Sequence, residues 1–340
     1  MAAEGRVDVR VVIAGFGSVG RRLASLLLER GGAYGLSLAA ALDSRGHAIF
    51  DTPGCVEEAL KTPRGGLSGV SCGAPGSGPG VLEGVDYDAL VLTTASSPAT
   101  GEPGLGYARA ALEGGRAVVA ADKPPVAMLL LEHGGPPQGL FYKATVMAGT
   151  PLIDLLRVGL AGRRVLRVVG VLNGTSNYIL NLLMEGVPLE DAVDSAARLG
   201  IAEPDPSADL GGVDLALKAS IISQTLGCPL APGDVEVRGT VWDAAGWAPG
   251  LRGVGVAVRY TAVVDVAACR AVVGLTLHRV GSRLYSLPGS LNAAVISLED
   301  STIYLEGPGA GLGVTASTLL SDLVLASRPG GAPPYFPAHL

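Results

Sequence analysis

An aspartate and a lysine stand four residues apart in a stretch that otherwise carries no charge. Between Gly212 and Gly227 the charged residues are Asp214 and Lys218, and their spacing places both on one face of a helix. The chain has 25 lysines and arginines together, of which four are lysines. Because arginine keeps its proton at working pH, a retained lysine indicates a position that needs a cation able to exchange a proton. Lys218 is therefore a candidate proton donor.

The helix predicted at 213–226 is apolar around nearly its whole circumference, which is typical of a buried helix. A buried charge must be paired or must face a polar cavity, because removing it from water is costly. Upstream, a loop bounded by prolines adds the carboxylates of Glu203, Asp205 and Asp209. Such a cluster can hold a substrate ammonium group while Lys218 supplies a proton. A purely structural network of ion pairs is the alternative.

A glycine pattern lies between the first predicted strand and the first predicted helix. In that context G-x-G-x-x-G predicts a dinucleotide-binding loop, because the N-terminus of the helix attracts a pyrophosphate. The first glycine permits a tight turn, the second lets the backbone approach the pyrophosphate, and the third lets helix and strand pack closely. A tight turn without a ligand is the alternative. The six residues are Gly15, Phe16, Gly17, Ser18, Val19 and Gly20.

The end of the second predicted strand bears on the choice of cofactor. Asp43 is placed to bond a ribose diol, which favours NAD, whereas Arg45 is placed to pair with a 2′-phosphate, which favours NADP. Each can instead be an ordinary loop charge. The sequence leaves the preference open, with a slight lean to NADP.

The composition excludes several classes of protein. The net charge is −6 without any basic run, which argues against nucleic acid as a partner. Charged residues or glycines interrupt each apolar stretch, and the N-terminus lacks a signal-peptide layout, so we expect a cytoplasmic protein without a membrane partner. The cysteines form no C-x-x-C pair, so we expect reduced thiols rather than a zinc site or a disulfide framework. They are Cys55, Cys72, Cys228 and Cys269.

Strand and helix patterns alternate along the first part of the chain, up to about residue 140. This alternation predicts a mostly parallel sheet with helices on both faces. The stretch 63–84 contains eight glycines and is predicted to be an irregular surface excursion. After Gly149 the pattern changes to an α+β arrangement, and a glycine-rich turn leads into a final helix. The helices predicted in this second part lie near 151–158, 176–184, 189–199 and 213–226, and its strands at 164–172, 256–266 and 293–299.

Four stretches resemble homoserine dehydrogenase and follow that family's order over almost the whole chain. They are GVLNGTSNYIL from Gly170, GIAEPDPSADLGGVDLALK from Gly200, ATVMAGTPLI from Ala144 and GPGAGLGVTAS from Gly307. The resemblance implies a reversible, NAD(P)H-dependent reduction of L-aspartate 4-semialdehyde to L-homoserine, within threonine and methionine biosynthesis. It also implies an α/β fold with a Rossmann-type doubly wound parallel sheet, an α+β catalytic domain, and a homodimer.

The same resemblance implies how the chain is organised. Residues 1–145 are expected to form the NAD(P)-binding Rossmann domain, and residues 146–305 the substrate-binding and dimerisation domain. A C-terminal helix over 306–328 is expected to return to the Rossmann domain, and 329–340 to form a loose tail. We expect no fused kinase or regulatory domain.

The family's functional residues match positions of this chain. By resemblance, Lys218 is the proton donor and Lys123 a second active-site lysine near the nicotinamide. The family's substrate-binding carboxylates match Glu203 and Asp214. Further substrate-pocket positions match Asp209, Gly174 and Thr175, and further cofactor contacts match Ser96, Gly200 and Gly309.

Three positions depart from the family's pattern. Asp122 replaces an asparagine before Lys123, and Ile201 replaces a tyrosine that contacts substrate. Lys143 replaces a glutamate associated with a monovalent cation. The ammonium group of Lys143 has three donors. We therefore predict that it takes the place of the metal ion and binds the carbonyls that would otherwise hold it, those of Val146, Ala148 and Thr150. The alternative is that Lys143 points to solvent and that water or a weakly bound ion fills the site.

Two rival functions are left by the sequence. One is a dehydrogenase of another amino or hydroxy acid on the same architecture, and the other is a catalytically silent NAD(P)-sensing protein. The presence of both Lys218 and Glu203 argues against the silent protein. A thioester-forming aldehyde dehydrogenase is excluded, because it needs a catalytic cysteine and none of the four lies in a motif.

Overall fold

The computed structural model describes residues 8–203 and 205–328, which divide into two compact units. Unit one holds the described residues of 8–126, 137–145 and 312–328, and unit two holds those of 127–136 and 146–311. The predicted tail over 329–340 lies outside the described residues. Within the described ranges, no helix is long and apolar enough to cross a membrane.

Unit one is built on a seven-stranded sheet. Its strands are β1 (Val9–Ala14), β2 (Leu36–Leu42), β3 (Gly46–Ile49), β4 (Gly73–Pro75), β5 (Ala89–Leu92), β6 (Ala117–Ala120) and β7 (Leu140–Phe141). The helices in this part of the chain are α1 (Ser18–Arg30), α2 (Pro53–Lys61), α3 (Gly104–Glu113) and α4 (Lys123–Glu132), the last of which continues into the residues of unit two. The strand order is β4-β3-β2-β1-β5-β6-β7.

Five of these strands are parallel, and an antiparallel pair completes one edge. The parallel strands are β2, β1, β5, β6 and β7, while β3 pairs antiparallel with β2 on one side and with β4 on the other. The stretch 63–84, predicted to be irregular, contains β4, so that prediction was wrong in part. A strand of three residues is too short to produce a readable alternation in a glycine-rich segment.

Unit two carries a six-stranded sheet. Its strands are β8 (Val165–Val171), β9 (Glu236–Arg238), β10 (Val256–Asp265), β11 (Arg270–Arg279), β12 (Leu291–Leu298) and β13 (Thr302–Pro308). Its helices are α5 (Leu152–Asp154), continued by a π-helical turn over Leu155–Gly159, then α6 (Gly174–Met184), α7 (Leu189–Arg198), α8 (Ser207–Leu210) and α9 (Val213–Thr225). The order is β13-β12-β8-β10-β11-β9, and every pairing is antiparallel except that of β11 with β9.

The chain ends its described part in helix α10 (Leu312–Ala326), which belongs to unit one. Leu319 and Leu323 of α10 share a core with Leu23 and Leu27 of α1. Their spacing of four residues lines one face of each helix, which explains why the two helices pack together. The α/β fold class predicted from the sequence is confirmed, with a Rossmann-type parallel sheet in unit one and an α+β arrangement in unit two.

The cysteines correct one expectation. Cys55 of α2 and Cys72 form a disulfide with their Cα atoms 6.1 Å apart, so the prediction of four reduced thiols was wrong for this pair. Ser71 explains the approach, because its backbone N–H and its hydroxyl both donate to the carboxylate of Glu58 in α2. The Ser71–Glu58 contact depends on the fold around β4, and no sequence motif predicts it. Cys228 is a free thiol.

Candidate active site

The loop between β1 and α1 follows the predicted glycine pattern. Gly15 has φ +95°, and a Cβ there would lie 2.4 Å from the backbone of Thr93, which follows β5. A Cβ on Gly20 would lie 2.6 Å from the carbonyl oxygen of Gly15. The two glycines therefore allow the turn to sit against β5 and the helix to sit against the turn.

The remaining residues of this loop leave the start of α1 open. A Cβ on Gly17 would meet nothing closer than 4.0 Å, and Gly17 caps α1 without a side-chain hydrogen bond. Phe16 is fully buried beneath the guanidinium of Arg21, 4.8 Å from its ring centre, while Ser18 is exposed and Val19 packs on the core. Backbone N–H groups at an uncapped helix start, beside a glycine that permits close approach, form an anion-binding site suited to a pyrophosphate.

Asp43 follows β2, and both of its carboxylate oxygens bind the backbone. Oδ1 accepts N–H bonds from Arg45 at 2.8 Å and Gly46 at 2.9 Å, and Oδ2 accepts from Leu67 at 2.9 Å. The carboxylate therefore organises the turn after β2 and links it to the glycine-rich segment. This use of the group favours a structural role over recognition of a ribose diol.

Two exposed arginines lie beside this turn. The side chain of Arg45 runs past Gly65, where a Cβ would be 3.4 Å from its Cδ, and the neighbouring Arg64 donates to the hydroxyl of Ser18. Burial lowers the pKa of Arg21, and the nearby positive charge of Arg64 adds to that effect. Arginine is the side chain best suited to a phosphate, because its fork of N–H donors matches the phosphate oxygens. Arg64 was not predicted from the sequence, because it lies in a segment without a pattern.

A buried carboxyl group lies at the carboxyl ends of β5 and β6. Asp122 Oδ2 accepts hydrogen bonds from the hydroxyls of Thr94 and Ser96, both at 2.5 Å, and Ser96 also accepts from the N–H of Gly104. Burial raises the pKa of Asp122, while the bonds from Ser96 and Thr94 and the charge of Lys123 oppose that shift. Ser96, predicted to contact the cofactor, is thus held by Asp122.

Lys218 and Asp214 form a close ion pair on α9. The ammonium nitrogen of Lys218 lies 2.7 Å from Asp214 Oδ2 and donates to the carbonyl of Leu172 at 2.5 Å. Lys218 is only 8% exposed, so the pair is held in a site that excludes most water. Gly212 sets the start of α9 with φ +91°, and a Cβ there would strike the hydroxyl of Tyr260 at 2.4 Å.

Asn173 connects this ion pair to a second carboxylate. Its Nδ2 donates to Asp209 Oδ1 at 2.7 Å and to Asp214 Oδ2 at 2.9 Å. Its Oδ1 accepts the N–H of Ser176 at 2.8 Å and so caps α6. One side chain therefore fixes the start of α6 and holds two carboxylates side by side. Asn173 lies within the GVLNGTSNYIL motif, but no role was predicted for it from the sequence.

The electrostatics of the cluster suit a bound cation. Burial raises the pKa of Asp209 and the charge of Asp214 raises it further, while the hydrogen bond from Asn173 and the charge of Lys218 lower it. Two carboxylates held close together repel each other, and an additional cation nearby reduces that repulsion. The cluster is therefore arranged to favour a positively charged group such as a substrate ammonium.

The loop that carries Glu203 is attached to the same region. Thr175 Oγ1 donates to the carbonyl of Ile201 at 3.0 Å, which ties the loop to the first turn of α6. Gly200 has φ +68° where α7 ends, and Glu203 is exposed. Gly174 has a packing role, since a Cβ there would lie 2.6 Å from the carbonyl oxygen of Ser290.

The turn after β13 packs tightly within unit two. The carbonyl of Gly309 accepts the N–H of Ala148 at 3.3 Å, and a Cβ on Gly309 would overlap the side chain of Asn292. Asn292 is 1% exposed, and neither of its side-chain polar atoms has a hydrogen-bond partner in the protein. Gly309 therefore has a structural reason to be a glycine, independent of the predicted cofactor contact.

Lys143 lies beneath α10 in unit one and is 8% exposed. Its ammonium nitrogen lies 3.3 Å from Asp322 Oδ1 and donates to Ser321 Oγ at 3.0 Å, and its backbone N–H donates to Asp322 Oδ2 at 3.2 Å. A buried carboxylate thus balances the lysine. The predicted contact of Lys143 with the carbonyls over 146–150 stays a prediction.

The chain matches known proteins over most of its length. The family model for homoserine dehydrogenase matches residues 151–324. An NAD(+)-dependent homoserine dehydrogenase of Pseudomonas canavaninivorans is 30% identical over 93% of this chain and 96% of its own length. A homoserine dehydrogenase of Methanocaldococcus jannaschii is 31% identical over 92% and 97%.

The chain belongs to the homoserine dehydrogenase family. A solved structure of a hyperthermophilic archaeal homoserine dehydrogenase in complex with NADPH superimposes with a TM-score of 0.77, at 30% identity, over 94% of this chain and 97% of the other. The resemblance identified from the sequence motifs is thereby confirmed. The protein is an NAD(P)-dependent oxidoreductase of this family.

Proposed function

We propose that this homoserine dehydrogenase interconverts L-aspartate 4-semialdehyde and L-homoserine through the cluster of Asn173, Asp209, Asp214 and Lys218, with NADP as the preferred cofactor. The observation that carries the proposal is the bridge formed by Asn173, which holds two carboxylates beside a buried lysine. A cation pocket next to a proton donor is what the reduction of an amino aldehyde requires.

The cofactor fits the loop after β1. Gly17 leaves room for a pyrophosphate at the uncapped start of α1, and Gly15 and Gly20 allow the close packing around it. The bound nicotinamide supplies the hydride in reduction and accepts it in oxidation. No side chain of this chain has to carry the reducing electrons.

The preference for NADP is supported by two arginines and by the engagement of Asp43. Arg45 and Arg64 lie beside the turn after β2, where the adenosine 2′-phosphate of NADP is recognised in this architecture. In NAD enzymes an acidic residue after the second strand bonds the ribose. The corresponding Asp43 accepts backbone N–H groups with both of its carboxylate oxygens. The relatives do not decide between NADP and NAD, because one is an NAD(+)-dependent enzyme and another has a solved structure in complex with NADPH.

Lys218 is proposed to move the proton. When hydride reaches the aldehyde carbon, its oxygen becomes an alkoxide that needs a positive charge and a proton. The ammonium of Lys218 provides both, and its contacts with Asp214 and the Leu172 carbonyl hold it in a fixed position before reaction. In the reverse direction the neutral amine accepts the proton of the homoserine hydroxyl.

The substrate's ammonium group is proposed to bind the carboxylates of Asp209 and Asp214, with Glu203 on the loop tied to α6 by Thr175. The buried position and the repulsion between Asp209 and Asp214 support this assignment, because a cation stabilises both.

Lys123 is proposed to add positive field near the nicotinamide. Asp122, beside it in sequence, moderates that charge.

The proposal extends to assembly and location. We propose a homodimer formed through unit two, a cytoplasmic location, and a contribution to threonine and methionine synthesis, as the family resemblance implies. Light scattering coupled to size-exclusion chromatography tests the dimer. A mass equal to one chain at micromolar concentration would contradict it.

Two parallel assays, one with each cofactor, test the activity. Purified protein is mixed with L-homoserine and either NADP or NAD, and the absorbance at 340 nm is followed. We expect reduction of NADP with L-homoserine and none with L-serine or L-malate. Turnover of another amino or hydroxy acid in preference would favour a different dehydrogenase, and cofactor binding without turnover would favour a silent sensor.

A further inference from the structure

Two cysteines outside the candidate active site lie close together in unit two. Cys228 follows the end of α9, and Cys269 lies in the turn between β10 and β11. The thiol of Cys228 donates to the carbonyl of Val266 at 3.4 Å, and the same carbonyl accepts the N–H of Cys269 at 3.3 Å. Burial raises the pKa of the Cys228 thiol, and the neighbouring side chain of Cys269 adds to that shift. The shared carbonyl thus places Cys269 next to the thiol of Cys228.

The backbone at Cys269 adds an independent observation. Cys269 has φ +48°, a left-handed conformation that glycine or asparagine adopts more readily than cysteine. The turn is well formed, with the N–H of Ala268 donating to Asp265 Oδ1 at 3.0 Å. A side chain kept at such a position has a reason beyond the turn itself. The position of Cys269 beside the thiol of Cys228 supplies that reason.

The other two cysteines of the chain are already paired. Cys55 and Cys72 form a disulfide in unit one, so all four cysteines are arranged as two spatial pairs. Neither pair belongs to the proposed catalytic cluster. Cys228 is 6% exposed and Cys269 is half-buried, so an oxidant reaches the pair through Cys269.

We propose that Cys228 and Cys269 form a second disulfide, closed by exchange with an organic disulfide. The thiolate of Cys269 attacks one sulfur of the reagent RSSR, which forms a mixed disulfide and releases RS⁻. Cys228 then loses its proton and attacks the sulfur of Cys269, which releases the second RS⁻. The cysteines lose two electrons and two protons, and the reagent becomes two RSH.

The order of the two steps follows from the environment. Burial raises the pKa of the Cys228 thiol and still acts after Cys269 has formed the mixed disulfide, so the Cys228 thiolate is scarce at neutral pH. The second attack is therefore the slow one. Closure of the bond should accelerate as the pH rises, because the attacking species is the thiolate.

The bond would join the end of α9 to the β10–β11 hairpin and close a loop of roughly 40 residues, which restricts the unfolded chain. Lys218 and Asp214 lie in the first half of α9, away from the cross-link. We therefore expect the disulfide to raise thermal stability and to leave catalysis nearly unchanged. The inference does not depend on the proposed roles of the active-site residues.

The test compares protein incubated with oxidised glutathione and protein incubated with a phosphine reductant. Each sample is denatured, alkylated with N-ethylmaleimide and digested, and the peptides are identified by mass. We expect a cross-linked peptide pair containing Cys228 and Cys269 in the oxidised sample only. We also expect Tm to be higher by about 5 °C in the oxidised sample than in an oxidised C269S variant, from the usual effect of such loops.

The C228S variant provides the matched control. Oxidised C228S should carry glutathione on Cys269 and should lack the gain in Tm. A C55S/C72S double variant that still gains in Tm on oxidation assigns the effect to the second pair. Should that variant fail to fold, the peptide map of the wild-type protein decides. Alkylation of both Cys228 and Cys269 after oxidation, or glutathione on Cys269 beside a free Cys228 in the wild-type protein, would overturn the proposal.

Discussion

The side-chain amide of Asn173 lies 2.9 Å from Oδ2 of Asp214, the same oxygen that accepts the ammonium of Lys218. The carboxylate of Asp214 is therefore held from two sides before any substrate arrives. Asn173 reaches Asp209 with the same Nδ2 and caps α6 with its Oδ1. Because this side chain has no charge of its own, it orients the carboxylates without neutralising them.

We expect replacement of Asn173 by serine to lower kcat/KM for homoserine by about 10- to 100-fold. Serine still caps a helix but does not reach both carboxylates, and hydrogen bonds to charged groups are worth about 1.5–3 kcal/mol each. The KM for the cofactor should be unchanged. Steady-state kinetics with each substrate varied in turn measures the effect.

The Asn173→Ala variant separates the two roles of this residue. Alanine also removes the helix cap, which costs about 1 kcal/mol of additional stability. Both variants should share the loss in kcat/KM, and only the alanine variant should show a clearly lower Tm. Wild-type kcat/KM in Asn173→Ser would contradict the positioning role.

Replacement of Lys218 by alanine should leave the fold and cofactor binding intact and lower kcat by about 10²–10⁴-fold, the usual contribution of proton transfer. Lys218→Arg should be nearly as poor, because arginine keeps its charge and does not give up a proton. The exposed Lys61, replaced by alanine, serves as the control. Circular dichroism and cofactor titration check that each variant is folded. Near-normal turnover in Lys218→Arg would rule out proton donation.

The two arginines beside the turn after β2 should select the 2′-phosphate. We expect Arg45→Ala and Arg64→Ala each to weaken NADP binding by about 1–3 kcal/mol, and NAD binding to change little. Arg22, a partly exposed arginine of α1 paired with Glu29, provides the control. Fluorescence titration with both cofactors measures the difference. Equal losses for NAD and NADP would assign the arginines a structural role.

We expect kcat/KM for homoserine to fall at acidic pH because Asp209 becomes protonated. Burial and the neighbouring Asp214 raise its pKa, so protonation begins at a higher pH than for an ordinary aspartate. The ionised form binds the substrate ammonium, so kcat/KM should fall as the pH drops through that raised pKa. In Asp209→Asn, kcat/KM should be lower throughout and should lose this limb. An unchanged acid limb in the variant would show that another group is responsible.

The same shift has a consequence for stability. The folded-state pKa of Asp209 lies above the unfolded value, so its contribution is most favourable below the unfolded pKa and is lost as the pH rises through the folded pKa. The Tm of Asp209→Asn relative to wild type should therefore increase with pH across that window. Thermal denaturation at several pH values checks the sign.

Lys143 should make the enzyme independent of monovalent cations. Its buried ammonium stands where the family resemblance implies a carboxylate, so the negative charge that would hold a monovalent cation is replaced by a positive one. We expect no saturable activation by Na⁺ or K⁺ compared with tetramethylammonium chloride at constant ionic strength. Clear saturation with either ion would contradict this prediction.

The Lys143→Glu variant extends the test. It places a carboxylate beside Asp322, and we expect a lower Tm from the repulsion between the two buried groups. If the carbonyls over 146–150 can hold an ion, Na⁺ or K⁺ should restore part of that Tm in the variant and leave the wild type unchanged. The melting temperature gives a readout that does not depend on activity.

The sequence by itself determined the features that depend on neighbours along the chain. The strand, glycine turn and helix from β1 to α1 appear at the predicted positions, because alternation, the glycine spacing and helical periodicity are local signals. The pairing of Asp214 with Lys218 was equally predictable, since a spacing of four residues on one helix places both on the same face. The activity was inferred from the motifs that this chain shares with the homoserine dehydrogenase family.

The tertiary structure alone decided the contacts between distant segments. Asn173 meets Asp214 across 41 residues, and Arg64 meets Ser18 across 46. The Cys55–Cys72 disulfide likewise depends on how the segment before β4 returns to α2. Such contacts leave no periodic signal, because they arise from the order of strands in a sheet and from the path of irregular loops. The bond from the Leu67 N–H to Asp43, across 24 residues, is of the same kind, since a carboxylate beside an unpaired backbone N–H group is stabilised by accepting it.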